Sequence, residues 1–265
     1  FDHGVDCVCN LAFCANIFGL VMIGSGWCLM IQFTLQFTFY MAQWEEYHTH
    51  VLQHSVGGVF GVTEVNYGLA LFTLLNAFLD RKALWRLPIN YFLPFLPDNN
   101  IHLGHASLIG TLIMFSLLII GSLKRVSAHP NVRNNRMTAF GQLITPASIG
   151  IALVFLPQSV LENQTRYVSL AMGLLFSLLT KKIIVFSMAK MTFATIQLEA
   201  IPLLLVTFFI QRNNADDATT FDQRILQLLC LWYMFRLHKW AWLAVNQICR
   251  RLDIYCFTIK HPKKS

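Results

Sequence analysis

Residues 107–121 contain no charged side chain, and they are the clearest of several apolar blocks in this chain. A helix crossing the roughly 30 Å hydrocarbon core of a bilayer needs about 20 such residues. Blocks of that kind recur near 7–23, 27–46, 62–79, 102–123, 139–157, 167–189, 195–211 and 223–249. Gly24-Ser25-Gly26, Gly57-Gly58, Pro94, Pro97, Pro130 and Pro157 fall between them, where helices stop. The expected fold is all-α: a polytopic membrane bundle with about eight transmembrane helices in this chain. Composition agrees. Only 12% of the 265 residues are charged, against about 25% in average soluble domains; this composition excludes disorder, collagen and a small disulfide scaffold, and the long apolar blocks argue against a soluble globule.

The odd count of seven cysteines, most of them inside apolar blocks, points to buried thiols rather than a secreted disulfide framework. Cys7-x-Cys9 lacks the second ligand pair of a zinc site. A net charge of +7 would suggest nucleic acid in a soluble protein. Here Lys and Arg lie mainly in loops and at the C-terminus, a topology signal, so no nucleic-acid partner is expected. Eight spans put both chain ends on one face, where ten Lys and Arg outnumber six opposite and predict a cytosolic location.

Five of the thirteen acids (Asp2, Asp6, Glu45, Glu46 and Glu64) precede residue 65, at the ends of the first three spans on that same face. His3, His48, His50 and His54 share it. A solvated collar around helix ends would look similar, yet clustered ionisable groups at a membrane mark a site by default. Asp2 and Asp6 are four residues apart, one helical turn, on one helix face. Carboxylates so placed repel unless a cation lies between them or they share a proton. Hard divalent ions favour such oxygen ligands and bridge them to phosphates.

The residues around that pair carry a resemblance. Phe1-Asp2-His3-Gly4-Val5-Asp6 resembles the tail of the CDP-alcohol phosphotransferase signature, D-G-x2-A-R-x8-G-x3-D-x3-D, in the form of its choline/ethanolamine branch. Trp44-Glu45-Glu46-Tyr47-His48-Thr49 is similar to that branch's W-E-x-Y/F-x-T segment, and Thr63-Glu64 to its T-E. Lys182 to Met188 resembles its K-x-x-V-x-x-M run, and Asn246-Gln247-Ile248 with Ile254 and Phe257 its closing N-Q-I…I-x-x-F.

The resemblance implies an enzyme of phospholipid synthesis that transfers phosphoethanolamine or phosphocholine from CDP-ethanolamine or CDP-choline to diacylglycerol, releasing CMP. Asp2 and Asp6 would ligate Mg2+ or Mn2+. His3 and Glu64 are the candidate bases for the acceptor hydroxyl, with Asp6 counted in the catalytic set. Substrate contacts are expected from Trp44 and Tyr47 by cation–π attraction to an ammonium group, from Glu45 by ion pairing, and from Lys182. The family also implies a homodimer among membrane lipids, in the endoplasmic reticulum or Golgi, with the site facing the cytosol.

The first half of the signature would lie upstream of Phe1. Residues 1–265 are therefore expected to be the C-terminal part of a single membrane domain, eight helices of ten, inactive by itself. Two other classes compete. A pseudoenzyme or membrane scaffold would keep this fold without turnover, and a transporter would suit charges within spans. Paired internal repeats, which transporters often show, are missing from the sequence.

Overall fold

The computed structural model describes residues 5–7, 9, 21, 23–52, 55–56, 60–94, 101–133, 135–213, 220–256 and 258, the side chains of 55, 56, 60–66 and 69 excepted. Residues 5–7 and 9 are helical, and residues 8, 10–20 and 22 of the first expected span lie outside the described residues.

Helix α1 (Ser25–Thr49) follows Gly24 and ends where His50 turns left-handed, its N–H bonded to Glu46 O. Two two-residue strands, β1 (Ser55–Val56) and β2 (Phe60–Gly61), pair antiparallel, and β2 leads into α2 (Val62–Phe78). Asp80 caps α3 (Arg81–Trp85), accepting hydrogen bonds from the backbone of Lys82 and Ala83. A 3-10 turn at Ile89–Tyr91 precedes α4 (Leu103–Ala128). Pro130 opens the short α5 (Pro130–Arg133), the first-turn position that proline tolerates. Then come α6 (Arg136–Gly141), α7 (Ile144–Phe155), α8 (Gln158–Asn163) and α9 (Thr165–Met188). A 3-10 turn at Leu198–Ala200 feeds α10 (Ile201–Asn213), and α11 (Thr220–Leu252) is the longest, with 33 residues.

Among the described residues, three helical stretches are long and apolar enough to cross a membrane: Leu103–Ala128, Arg136–Phe155 taken across its break, and Thr165–Met188. The all-α expectation holds, with two differences in detail. The 195–211 block begins as a bend and a 3-10 turn, so its helix starts only at Ile201. The 139–157 block is divided at Gln142 and Leu143. Pro146 explains the division. A continuous helix would need its N–H for Gln142 O, and proline has none, whereas the first turn of a new helix leaves that position free.

Helix α9 is the core element, packed along both α1 and α11, while α1 also lies against α4 and α7. Its middle, from Ala171 to Thr180, is buried throughout. Gln32 and Ser169 pair across the α1–α9 contact: Gln32 Nε2 donates to Ser169 O at 3.0 Å, and Ser169 Oγ donates to Gln32 Oε1 at 2.6 Å. Apolar side chains also cover much of the outside. Ile113 and Leu117 on α4, Leu205 and Phe208 on α10, and Leu228, Leu231 and Phe235 on α11 are all exposed. Water would penalise such a surface and lipid does not.

Candidate active site

The last two turns of α1, the ends of α4 and α9, the α6–α7 break and the start of α10 meet at one end of the bundle. Hydrogen bonds from α1 hold them there. Tyr40 Oη donates to Gln142 O at 3.2 Å, taking the carbonyl that Pro146 leaves without its helical donor. Trp44 Nε1 donates to Ala139 O at 3.0 Å. Tyr47 Oη donates to Met191 O at 3.2 Å and accepts from Phe193 N–H at 2.8 Å.

Gln142 is the centre of this arrangement. Its Nε2 donates to Phe193 O at 3.1 Å, which leaves Oε1, 2.9 Å from His48 Nε2, as acceptor. His48 Nε2 is then the donor of this bond and carries a proton. Burial lowers the His48 pKa, opposed by the Gln142 hydrogen bond and reinforced by His129 and His50. His48 lies beyond the 27–46 apolar block. Thr145 Oγ1 and Gln197 fasten the same connection, donating to Gln197 O at 3.2 Å and accepting from Gln197 N–H at 2.9 Å. Gly141 has no side chain for a reason: a Cβ there would run into Thr195 Cγ2.

Two sets of charges sit at this end. Buried Glu45 receives Arg125 in a forked pair, through Nε and through Nη2 at 2.8 Å, while Nη2 also lies 3.3 Å from Ser122 Oγ. Lys182 Nζ bonds Glu199 Oε1, and Arg236 Nη2 approaches the same oxygen at 3.7 Å. One carboxylate thus sits between two cations contributed by α9 and α11.

The expected site residues fall as follows. Asp2 and His3 lie outside the described residues. Asp6 is helical and exposed, and the next residue is tied to α9 by Ser177 Oγ donating to Cys7 O at 2.7 Å. Glu64 lies in the first turn of α2, its side chain outside the described part. Expected to wall in an ammonium group, Trp44 is instead fully buried with its N–H occupied, so it packs the bundle. The Tyr47 hydroxyl holds the 191–193 backbone, and Glu45 faces Arg125. Lys182 places its ammonium beside Glu199, with its side chain 16% exposed. Among the described residues, no three His, Cys, Asp or Glu side chains converge to hold a metal. Of the expected ligands only Asp6 belongs to the described residues.

No family model matches the chain. Curated proteins do. It is 25% identical over 276 residues to an uncharacterized CDP-alcohol phosphatidyltransferase class-I family protein 1 of Dictyostelium discoideum, covering 100% of this chain and 68% of that protein. It is 23% identical over 268 residues to ethanolaminephosphotransferase 1 of Mus musculus, covering 99% of this chain and 66% of the relative. With cholinephosphotransferase 1 of Rattus norvegicus the identity is 25% over 201 residues, 72% of this chain and 48% of that protein. The chain is a homologue of the CDP-alcohol phosphotransferases. Apolar helices and membrane-enzyme relatives together make this phosphotransferase homologue an integral membrane protein.

Sequence reading missed three residues of the homologue's polar end: Arg125, Gln142 and Glu199. For Arg125 a signal existed, since eight alternating spans put it on the same face as Glu45. For Glu199 it was weaker: one acid at a helix start, answering Lys182 and Arg236 inside apolar blocks that tolerate no unpaired charge. Gln142 gives no such signal, because an amide among apolar residues reads as polar filler.

Proposed function

We propose that the chain acts in phospholipid synthesis, moving phosphoethanolamine or phosphocholine from its CDP ester to diacylglycerol and releasing CMP. Homology to a cholinephosphotransferase and an ethanolaminephosphotransferase carries the reading. The gathering of polar side chains at one end of an apolar bundle supports it, because transfer between a water-soluble nucleotide and a lipid belongs at an interface.

In the reaction, the diacylglycerol hydroxyl oxygen forms a bond to the β-phosphorus. The bond from that phosphorus to the bridging oxygen breaks, and CMP leaves with the electron pair. The hydroxyl proton passes to a base, for which His3 and Glu64 are the candidates. Asp2 and Asp6, one turn apart, suit a hard divalent ion such as Mg2+ or Mn2+, which when bound neutralises diphosphate charge. Lys182 would face the diphosphate, steered by Glu199. Tyr47, Glu45 and Trp44 serve as positioning residues that fix the end of α1. The same reading turns this end to the cytosol, in the endoplasmic reticulum or Golgi.

The test is CMP release by the protein expressed from its own transcript and reconstituted in lipid, with CDP-ethanolamine and CDP-choline supplied separately. Metal-dependent release is expected, and Glu64→Gln should lower turnover by about a hundredfold or more while leaving the KM for the CDP-alcohol nearly unchanged. A folded, reconstituted protein that releases no CMP with either substrate would refute the reading. Equal losses in turnover and affinity would remove Glu64 as the base.

A further inference from the structure

The opposite end of the bundle holds a cavity of about 280 Å³ lined by Trp85, Arg86, His102, Gly104 and His105, with Val21, Ile23 and Gly24. Twenty residues of α4 separate His105 from Arg125, so at 1.5 Å per residue the cavity is about 30 Å from the polar end. It belongs to a different membrane face. Because α4 is one of the spans, its first turn marks the level of the lipid headgroups there.

The walls are built rather than loose. Trp85 is buried and its Nε1 donates to Asn76 Oδ1 at 2.7 Å, locking α3 to α2. Backbone bonds from Ile89 N–H to Ile101 O and from Leu103 N–H to Leu87 O, both 2.9 Å, clamp the strand of chain beneath it. Gly104 lets the chains close up: a Cβ there would meet Val21 O at 3.0 Å. His105 Nδ1 accepts from His102 N–H at 3.4 Å, so the proton of a neutral His105 ring sits on Nε2 as a donor.

Below the cavity runs a matching apolar track. His105, Ile109, Ile113 and Leu117 follow one another at four-residue spacing and so form one stripe of α4. Ile109, Ile113 and Leu117 are all about half exposed or more. Beside them Gly110 has open space where a side chain would be, which leaves a notch in the helix surface. Cationic and imidazole donors at headgroup level, continuous with an exposed stripe running into the hydrocarbon, describe one kind of occupant. We propose that this is a binding site for an anionic phospholipid of the leaflet opposite the polar end, its phosphate in the cavity against Arg86 and His105 and one acyl chain along Ile109, Ile113 and Leu117. The site neither needs nor uses the transfer reaction.

The full chain in detergent can be titrated with dioleoyl-phosphatidylglycerol, dioleoyl-phosphatidylcholine or inorganic phosphate while its thermal midpoint is followed. Phosphatidylglycerol should raise the midpoint, and the other two should not. The Arg86→Gln, His105→Gln double variant should weaken the phosphatidylglycerol response about tenfold or more, whereas Arg251→Gln near the chain's C-terminal end should leave it unchanged. An equal response to inorganic phosphate would mean a plain anion site and overturn the proposal. So would an unaltered response in the double variant, or an equal loss with Arg251→Gln. Should the double variant fail to fold, a phosphatidylglycerol with a photoreactive acyl chain decides the matter on the wild type. Cross-links within 109–117 support the site, and cross-links confined elsewhere overturn it.

Discussion

Tyr47 and Phe193 stand 146 residues apart in the chain, and the hydroxyl of one accepts the backbone N–H of the other at 2.8 Å. The same hydroxyl donates to Met191 O. A single side chain at the end of α1 therefore fastens the connection between α9 and α10, the segment that leads from Lys182 to Glu199.

Tyr47→Phe removes one atom and leaves an N–H and a carbonyl without their partner. The expected cost is about 1–3 kcal/mol, seen as a lower thermal midpoint in detergent and faster proteolysis within 191–197. An unchanged midpoint together with unchanged cleavage would mean the connection is held by Gln142 and Thr145 alone.

Glu199 separates two cations, so Glu199→Gln should be worse than removal of the whole pair. Losing one partner of a buried ion pair costs about 3–5 kcal/mol. The low end is expected here, because the Arg236 side chain remains 42% exposed and solvent screens it. Lys182→Met combined with Glu199→Leu should recover most of that loss. A double variant as unstable as Glu199→Gln would show that the cost lies with Arg236 rather than Lys182.

His48 gives the stability a pH dependence whose sign follows from its burial. Its pKa in the folded chain lies below the ordinary 6.5, so between the folded and unfolded values the unfolded chain binds more protons. Stability contributed by the neutral ring is complete above about pH 6.5 and lost as pH falls through the lowered folded value. Chemical denaturation between pH 7.5 and pH 5 should show that decline, and His48→Gln should flatten it. A slope that survives the substitution would assign the effect to other groups.

How much of this was legible in the sequence depends on range. The apolar blocks predicted the bundle because a membrane helix satisfies its backbone locally, so each block carries its own instruction. The break at Gln142 was written in Pro146 but passed over, since proline near a helix start and proline inside a helix look alike without knowing where the helix begins. The pairing of Glu45 with Arg125 needed the third dimension: neither residue specifies its partner along the chain. Trp44 illustrates the opposite error, in which a residue type suited to ligand recognition is consumed by packing.

Pro146 has a last consequence. By interrupting the ladder it frees a carbonyl, and Tyr40 takes it, while Trp44 holds Ala139 on the other side of the break. A proline break between two helical segments usually suggests a hinge. Here both lips of the break are riveted to the neighbouring helix, so α6 and α7 form a fixed elbow bracket. Substitutions at Tyr40, Trp44 and Pro146 should then be tolerated together or not at all, and any flexing of the bundle must take place at other joints.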